Sequence, residues 1–593
     1  MERAGILRWL LIGVAIYLFL QYGAPALGWD IGGDSGPKTQ GIAKINLEAK
    51  APETRADEQT CQLEGQRFRA ELSTQGASLR HAWMTDDKYR SDAEDPSSEP
   101  IDLVTTSLES VMPLRTSLRR PGDEANQIAY DDVDYALVSQ DGKSCVFRYE
   151  DEQVVVDKII SATERPFELK LDLKVTNRAE EVKKHRLTVA QTDYHTLEDI
   201  EGSMGRQSEF MTRSEIETTS ETERFDPGEF DPSDFEDGEG FTSEQWRRVP
   251  GTARWAAVSS SYFTKALFPV KAPASPAGEA LVEHVWSDGQ HVGNIYHARL
   301  NYGLQELAPG ESTTYEVLTF IGPKERQALA GVGGEGADYD AVNLLDLGVF
   351  SFIGKLLIQY LYLLYGFTKT WGWAICLLTI TVKLLLFPLS IAQIRSSLGM
   401  RKLKPAIDEL NKKYKDDPAQ KAVAMQELMK KNNVTNPMLG CLPLLLQMPV
   451  WFALYTSLQT AVELYHTPFG PFIPDLSAPG KYFIIPAVLG ASSFLQQHLM
   501  PMQGDPLQQK MMKFFMPAMF TVFMLFLPAG LGIYFLTNTW LGIGQQLAVE
   551  KFYKSREADD DSGNGPDSEK DEGDAKKKKK SGSEASKPAV GNA

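Results

Sequence analysis

Hydrophobic positions divide this chain into two unlike halves. From about Ala43 to Gln327, apolar and polar residues alternate in short runs, as in Phe68-Arg69-Ala70-Glu71-Leu72, Cys145-Val146-Phe147-Arg148-Tyr149 and Leu169-Lys170-Leu171-Asp172-Leu173-Lys174-Val175. A period of two puts one residue set on each face of a strand. Turn formers separate the runs at Gln75-Gly76, Asp141-Gly142, Asn177 and Pro309-Gly310. Many short strands at this spacing predict a large all-β sandwich over residues 43–340. Ser214 to Glu244 breaks the rhythm with a crowd of Asp, Glu, Ser, Thr and Gly, and it reads as a solvated acidic loop. Its carboxylates lack the ordered spacing of a calcium loop, so no metal is assigned there.

From Val349 the pattern changes to long apolar runs. A spanning helix needs roughly 17–25 mostly apolar residues. Trp9 to Tyr22, extended by Ile6 and Leu7, approaches that length and is read as an anchor over 1–24, followed by a linker over 25–42. Ala24-Pro25-Ala26 also resembles a signal-peptidase site, and either reading exports the polar half behind it. Val349 to Leu389 is long enough for two spans, but the next segment, 391–433, is basic: Arg395, Arg401, Lys402, Lys404, Lys412, Lys413, Lys415, Lys421, Lys430 and Lys431. Short basic loops stay cytoplasmic. One crossing, Trp371 to Leu389, meets that condition. Phe350 to Phe367, within 345–369, is then expected to lie along the outer interface as an amphipathic helix, with Lys355, Gln359 and Tyr362 as its wetter stripe. Further spans are expected at Leu442–Leu464, Tyr482–Met500, Lys513–Leu527 and Leu531–Leu547. The result is a polytopic α-helical membrane bundle of about six transmembrane helices, with a five-helix core over 370–550 and both ends in the cytoplasm. Residues 551–593 read as a disordered cytoplasmic tail.

The net charge of -18 changes the picture in one respect. An acidic exported half argues against DNA as a partner. Cys61 and Cys145 fall in that half, and either they pair in an oxidising compartment or they are two small core residues. Cys376 and Cys441 fall in the apolar half, and no cysteine sits in a metal-binding pattern.

Candidate chemistry begins with a charge among apolar residues. Lys383 lies inside the run WGWAICLLTITVKLLLFPL, and intramembrane cations usually face a bundle interior or a water-filled cavity. Thr379 lies one turn earlier on the same face. Gln447, with Met448 and Trp451 beside it, comes from the next span. Tyr534, Thr537, Asn538, Gln545 and Gln546 come from the last. Snorkelling of Lys383 and simple helix–helix hydrogen bonds are the plainer explanations. Several helices bringing polar groups to one side favour a hydrated groove, which lowers the cost of moving a polar segment through the bilayer. Nothing in this half looks like a nucleophile–base pair, a phosphate loop or a metal cluster, so no enzyme activity and no cofactor are expected.

Ser390 to Lys431 reads as a cytoplasmic helical hairpin. Ile394, Leu398, Leu403, Ile407, Leu410 and Tyr414 mark one apolar stripe, and Ala422, Met425, Leu428 and Met429 mark another. Asp416-Asp417-Pro418 separates the two helices. The stripes read either as the two helices packing together, which is the larger contribution, or as a docking surface, for which Arg401, Lys402, Lys404, Lys412 and Lys413 are the candidate residues.

Several motifs resemble the YidC family of membrane protein insertases. The stretch Asn436 to Val450, NPMLGCLPLLLQMPV, is similar to that family's NP-x-x-GC-x-P-x-x-x-QMP signature. Phe387-Pro388-Leu389-Ser390, Asp505 to Met512 and Phe526 to Leu531 fit as well, and together they cover Phe350 to Tyr553. Gln75 to Leu79 and Phe320 to Lys324 resemble the periplasmic β-sandwich domain of Gram-negative members. The resemblance implies an inner-membrane insertase and folding helper that acts alone or beside the Sec translocon. It implies nascent membrane proteins and lipid as partners, and a groove open to the cytoplasm and closed towards the periplasm. The cytoplasmic loops and Lys576–Lys580 are candidate ribosome contacts. Two positions depart from the family pattern: Lys383 stands where Arg is typical, and Phe535 where many relatives carry Tyr. A lysine keeps the charge but loses bidentate hydrogen bonding.

Two other functions fit less well. A transporter or channel would show paired repeats, and no span pattern recurs here. A membrane-tethered carbohydrate-binding or carbohydrate-active protein would use the β half. His185, His195, His284, His291 and His297 are available there, but sequence alone assigns no His–carboxylate site.

Overall fold

The computed structural model describes residues 57–91, 95, 97–106, 111–118, 133–201, 211–230, 246–287, 290–348, 350–414, 417–432, 442–480, 483–499 and 510–563. The expected anchor and linker, the Asn436–Cys441 part of the signature and the Lys576–Lys580 run lie outside these residues.

The alternating half folds into antiparallel sheets. A nine-stranded sheet runs from Thr222–Phe225 at one edge to Ala136–Gln140 at the other. Its middle strand, Ser312–Pro323, sits between Phe263–Lys271 and Glu168–Asn177. A five-stranded sheet that includes Gln290–Asn301 and Thr188–Thr196 packs against it. In Val154–Ala162 the inward residues are Val154, Val156, Lys158 and Ile160. They pair with Asn177, Val175, Leu173 and Leu171 across the ladder, so one period-two row covers another.

Polar bonds fix the two sheets relative to each other. Gln191 Nε2 donates to Thr319 Oγ1 at 2.7 Å, and Lys265 Nζ stands 2.9 Å from the Asp193 carboxylate. The fully buried Lys158 donates to the carbonyl oxygens of Leu114 at 2.8 Å and Gly76 at 3.3 Å. Burial and the nearby Arg115 guanidinium push its amine down to about 7. Cys61 and Cys145 form a disulfide with their Cα atoms 6.2 Å apart, which staples the three-stranded sheet Thr60–Met84 to the nine-stranded one.

The expected acidic loop is partly a hairpin. Arg213–Thr218 and Thr222–Phe225 belong to the nine-stranded sheet, and Ser214, Glu215, Ile216 and Glu217 are buried. Arg224 stands 3.5 Å from Glu215 across the hairpin, but burial outweighs it and pushes the Glu215 carboxyl up. Asp231 to Glu244 lie outside the described residues.

The apolar half is helical: α1 (Ser351–Thr368), α2 (Trp371–Leu385), α3 (Phe387–Lys413), α4 (Pro418–Lys431), α5 (Leu442–Gln459), α6 (Ile484–Leu499), α7 (Met516–Met524) and α8 (Ala529–Gly563). On α1, Leu357, Ile358, Leu361 and Leu364 are buried, whereas Phe352, Leu356, Leu363 and Phe367 form an exposed apolar stripe beside the exposed Lys355 and Gln359. Tyr362 leaves the expected wet stripe and donates its hydroxyl to Glu463.

Among the described residues, no single helix is both long and apolar enough to cross a membrane alone. The 15-residue α2 rises ~22 Å, short of the ~30 Å hydrocarbon layer. Together with Phe387–Ile394 it passes the length test, but the pair bends by 62°. The expected crossing from Trp371 to Leu389 is broken at Leu386, where Pro388 lacks an N–H and restrains the residue before it.

Other boundaries also move. A π-helical turn, Met511–Phe515, precedes α7, which ends at Met524 rather than Leu527. Residues 551–563, expected as the start of a disordered tail, continue α8. The stretch from Lys551 to Asp561 holds no Gly or Pro to stop the helix. In the hairpin, the Asp417 side chain caps α4 by accepting from the backbone N–H of Ala419 and Gln420.

The expected span Leu442–Leu464 is helical only to Gln459. Val462–Tyr465 turns into the β-domain instead, and Tyr465 packs among Tyr89, Tyr262 and Phe263. Lys88 Nζ donates to the Val462 carbonyl at 2.9 Å. The Glu463 carboxylate accepts from the Tyr362 hydroxyl and, at 3.4 Å, from the Arg326 backbone N–H. Behind this contact, Arg67 forks onto Glu325 at 2.7 Å and Asp86 at 2.9 Å. Burial pushes the Glu325 carboxyl up, but Arg67 and Tyr89 outweigh it and hold the group below its usual range.

Candidate functional site: a cation among apolar helices

α2 places Lys383 one turn beyond Thr379. Thr379 is enclosed in the bundle, and its hydroxyl donates to the Ile375 carbonyl of its own helix at 2.7 Å. It forms wall rather than open surface. Lys383 is half-buried and reaches towards α8 at Gly542. A Cβ on that glycine would lie 3.8 Å from Lys383 Nζ and 2.7 Å from Gln496 Nε2. Helices α2, α6 and α8 thus converge on one point. Asn538 and Gln546 stand one turn to either side of Gly542 on α8. Asn538 is half-buried, and the buried Gln546 has no hydrogen-bond partner for its Nε2 among the described residues. Among the described residues, no carboxylate forms an ion pair with Lys383.

The other expected residues lie elsewhere along the bundle. Tyr534 is buried in the apolar core. It precedes Gly542 by eight residues, ~12 Å along a helix. Trp451 is half-buried, packs against Phe452 at 4.7 Å and Phe535 at 6.1 Å, and leaves its indole Nε1 unpartnered. Met448 is exposed, and the Gln447 side chain is not among those described. The site therefore has two tiers: a polar one around Lys383, and an aromatic one around Trp451 and Tyr534. Sequence reasoning missed Gln496 and Gly542. The one legible signal was Ser492 four residues before Gln496, a polar pair on one face of an apolar helix. On the hairpin, Lys402, Lys412 and Lys413 are exposed on α3, and Arg401 and Lys404 belong to the same helix.

In the β-domain, folding brings His297 to 3.6 Å from Glu283 and His195 to 3.5 Å from Asp193. Trp246 lies beside His297, but the Arg299 guanidinium covers its ring at 3.4 Å, so that ring is not free to stack on a sugar. Asp193 is saturated by Lys265 and the Thr105 hydroxyl. These pairs read as internal structure.

A large antiparallel sandwich, docked through α1 and the Val462–Tyr465 turn onto apolar helices that carry a lysine, is the architecture to be placed. Comparison with known proteins places it. Residues 60–360 match the family model for the YidC periplasmic domain, and residues 363–557 match that of the 60Kd inner membrane protein. A membrane protein insertase YidC from Anaeromyxobacter sp. (strain Fw109-5) is 34% identical over 500 residues, covering 83% of this chain and 84% of the relative. The chain belongs to the YidC family. A crystal structure of an active YidC insertase with its first transmembrane domain resolved aligns over 84% of this chain and 93% of its own, at TM-score 0.35 and 18% identity. A putative aldose 1-epimerase from Escherichia coli K12 aligns over 45% of this chain and 99% of its own, at TM-score 0.28 and 15% identity.

Proposed function

We propose that this chain inserts nascent proteins into the bacterial inner membrane and helps them fold, without covalent chemistry. The observation that carries this reading is the Lys383 ammonium, held among apolar helices beside Gln496, Asn538 and Gln546. A polar client segment entering the bilayer must shed water. A cation and several amides in a groove replace part of that hydration, and partitioning of the client's apolar segment supplies the drive. Met448 and Trp451 offer an apolar contact for that segment. Six crossings, both ends in the cytoplasm and the β-domain in the periplasm complete the reading. The basic α3–α4 hairpin faces the ribosome and cytoplasm, and the Sec translocon is a partner for larger clients.

Two experiments test it. Lys383→Ala lowers insertion of clients with acidic translocated tails, Lys383→Arg retains it, and matched clients with neutral tails are spared. Equal defects for both client classes, or none, would remove Lys383 from the mechanism. Cysteine labels near Lys413 react from the cytoplasm and those near Pro471 from the periplasm; the reverse pattern overturns the topology.

A further inference from the structure

Glycine in a helix interior is less favourable than alanine. Each glycine of α8 therefore invites a reason. Gly530 and Gly532 have one in packing: a Cβ would meet the Leu476 carbonyl at 3.2 Å and Ile485 at 2.6 Å. Gly544 faces open space. Gly542 differs from both, because what its missing Cβ leaves room for is polar: the ends of Gln496 and Lys383.

We infer that Gly542 is a positioning residue that seats the Lys383 ammonium and the Gln496 carboxamide against α8, making a donor-lined recess for a carboxylate side chain of a passing client. The inference rests on the insertase reading above. Three features support the recess. Lys383 and Gln496 reach the same point from different helices. Gln546, one turn away on α8, is buried with its amide nitrogen unpartnered. Nε2 of both glutamines and Nζ of Lys383 are hydrogen-bond donors, so an oxygen acceptor suits them and a second cation does not. A side chain larger than hydrogen at position 542 pushes Gln496 away first and then Lys383, in the order of their distances.

The test uses the full-length protein in membrane vesicles and matched clients whose translocated tails are acidic or neutral. Four variants are compared at equal levels: Lys383→Ala, Gly542→Leu, Gly542→Ala and Gly544→Leu. Gly542→Leu should lower acidic-client insertion roughly tenfold by moving the cation off the client's path, and spare the neutral client. Gly542→Ala keeps the helix intact and should show a smaller loss with the same selectivity. Gly544→Leu should match the parent. If Lys383→Ala is selective for acidic clients while both Gly542 variants impair the two clients equally, or neither, the seat is overturned and the groove cation stands. If Lys383→Ala itself is unselective, the electrostatic groove falls and the seat with it.

Discussion

The Cys61–Cys145 disulfide links stability to location, and its removal has a magnitude set by the fold. Both cysteines are fully buried and lie 84 residues apart in sequence. In the chain-entropy account, a closed loop of that length restrains the unfolded state by ~4–5 kcal/mol. Replacing both with alanine also removes two buried sulfurs, so reduction without substitution is the cleaner perturbation. For a domain of this size, each kcal/mol moves the midpoint by roughly 2–4 °C. With about 2–5 kcal/mol lost in practice, reduction should therefore lower the β-domain's thermal midpoint by roughly 4–20 °C. The assay is tryptophan fluorescence of the full-length protein in detergent during heating, with and without reductant, since Trp255 is fully buried in the sandwich. Cys61→Ala/Cys145→Ala should sit at or below the reduced parent, because it also loses two buried sulfurs, and ignore reductant. A shift below ~1 kcal/mol would refute the restraint. Alkylation of both thiols in unreduced cells would refute it from the other side, because a domain in the oxidising periplasm keeps the pair bonded.

Lys158, with its folded pKa near 7 against an ordinary 10.5, carries a pH signature. A depressed folded pKa gives stability that is full above pH 10.5 and is lost as pH falls towards 7, at about 1.4 kcal/mol per pH unit. Urea unfolding from pH 7 to 9.5 should show a slope steeper by this amount in the parent than in Lys158→Met, where the buried Lys324 and Lys88 still contribute; parallel curves would discount the buried amine. At the junction of the two halves, Glu463→Ala strands the Tyr362 hydroxyl and the Arg326 N–H, a loss on the order of 2–4 kcal/mol. Protease added outside right-way vesicles should then cut the 331–348 connection faster; an unchanged rate would show that the junction does not depend on Glu463.

What the sequence determined by itself was periodic or compositional. Period-two runs such as Leu169–Val175 announced the sandwich, because burial on one face imposes alternation wherever a strand lies. The apolar stretches after Val349, the isolated Lys383, the Asp417-Pro418 helix start and the family motifs were legible for the same reason: each is a local arrangement of residues. Pairings were not. Glu168–Asn177 lies beside Ser312–Pro323, and Thr188–Thr196 beside Gln290–Asn301, and no local pattern encodes which distant strand completes a ladder. The acidic Ser214–Glu217 segment became sheet by pairing with Thr222–Phe225 on one side and Ala253–Ser259 on the other, neither of which a local composition announces. Tyr362 turned inward because Glu463 arrived from another helix's end. Gln496 and Gly542 acquired meaning only beside Lys383, since a missing Cβ has a function only when the fold brings two polar side chains from other helices to fill the space it leaves.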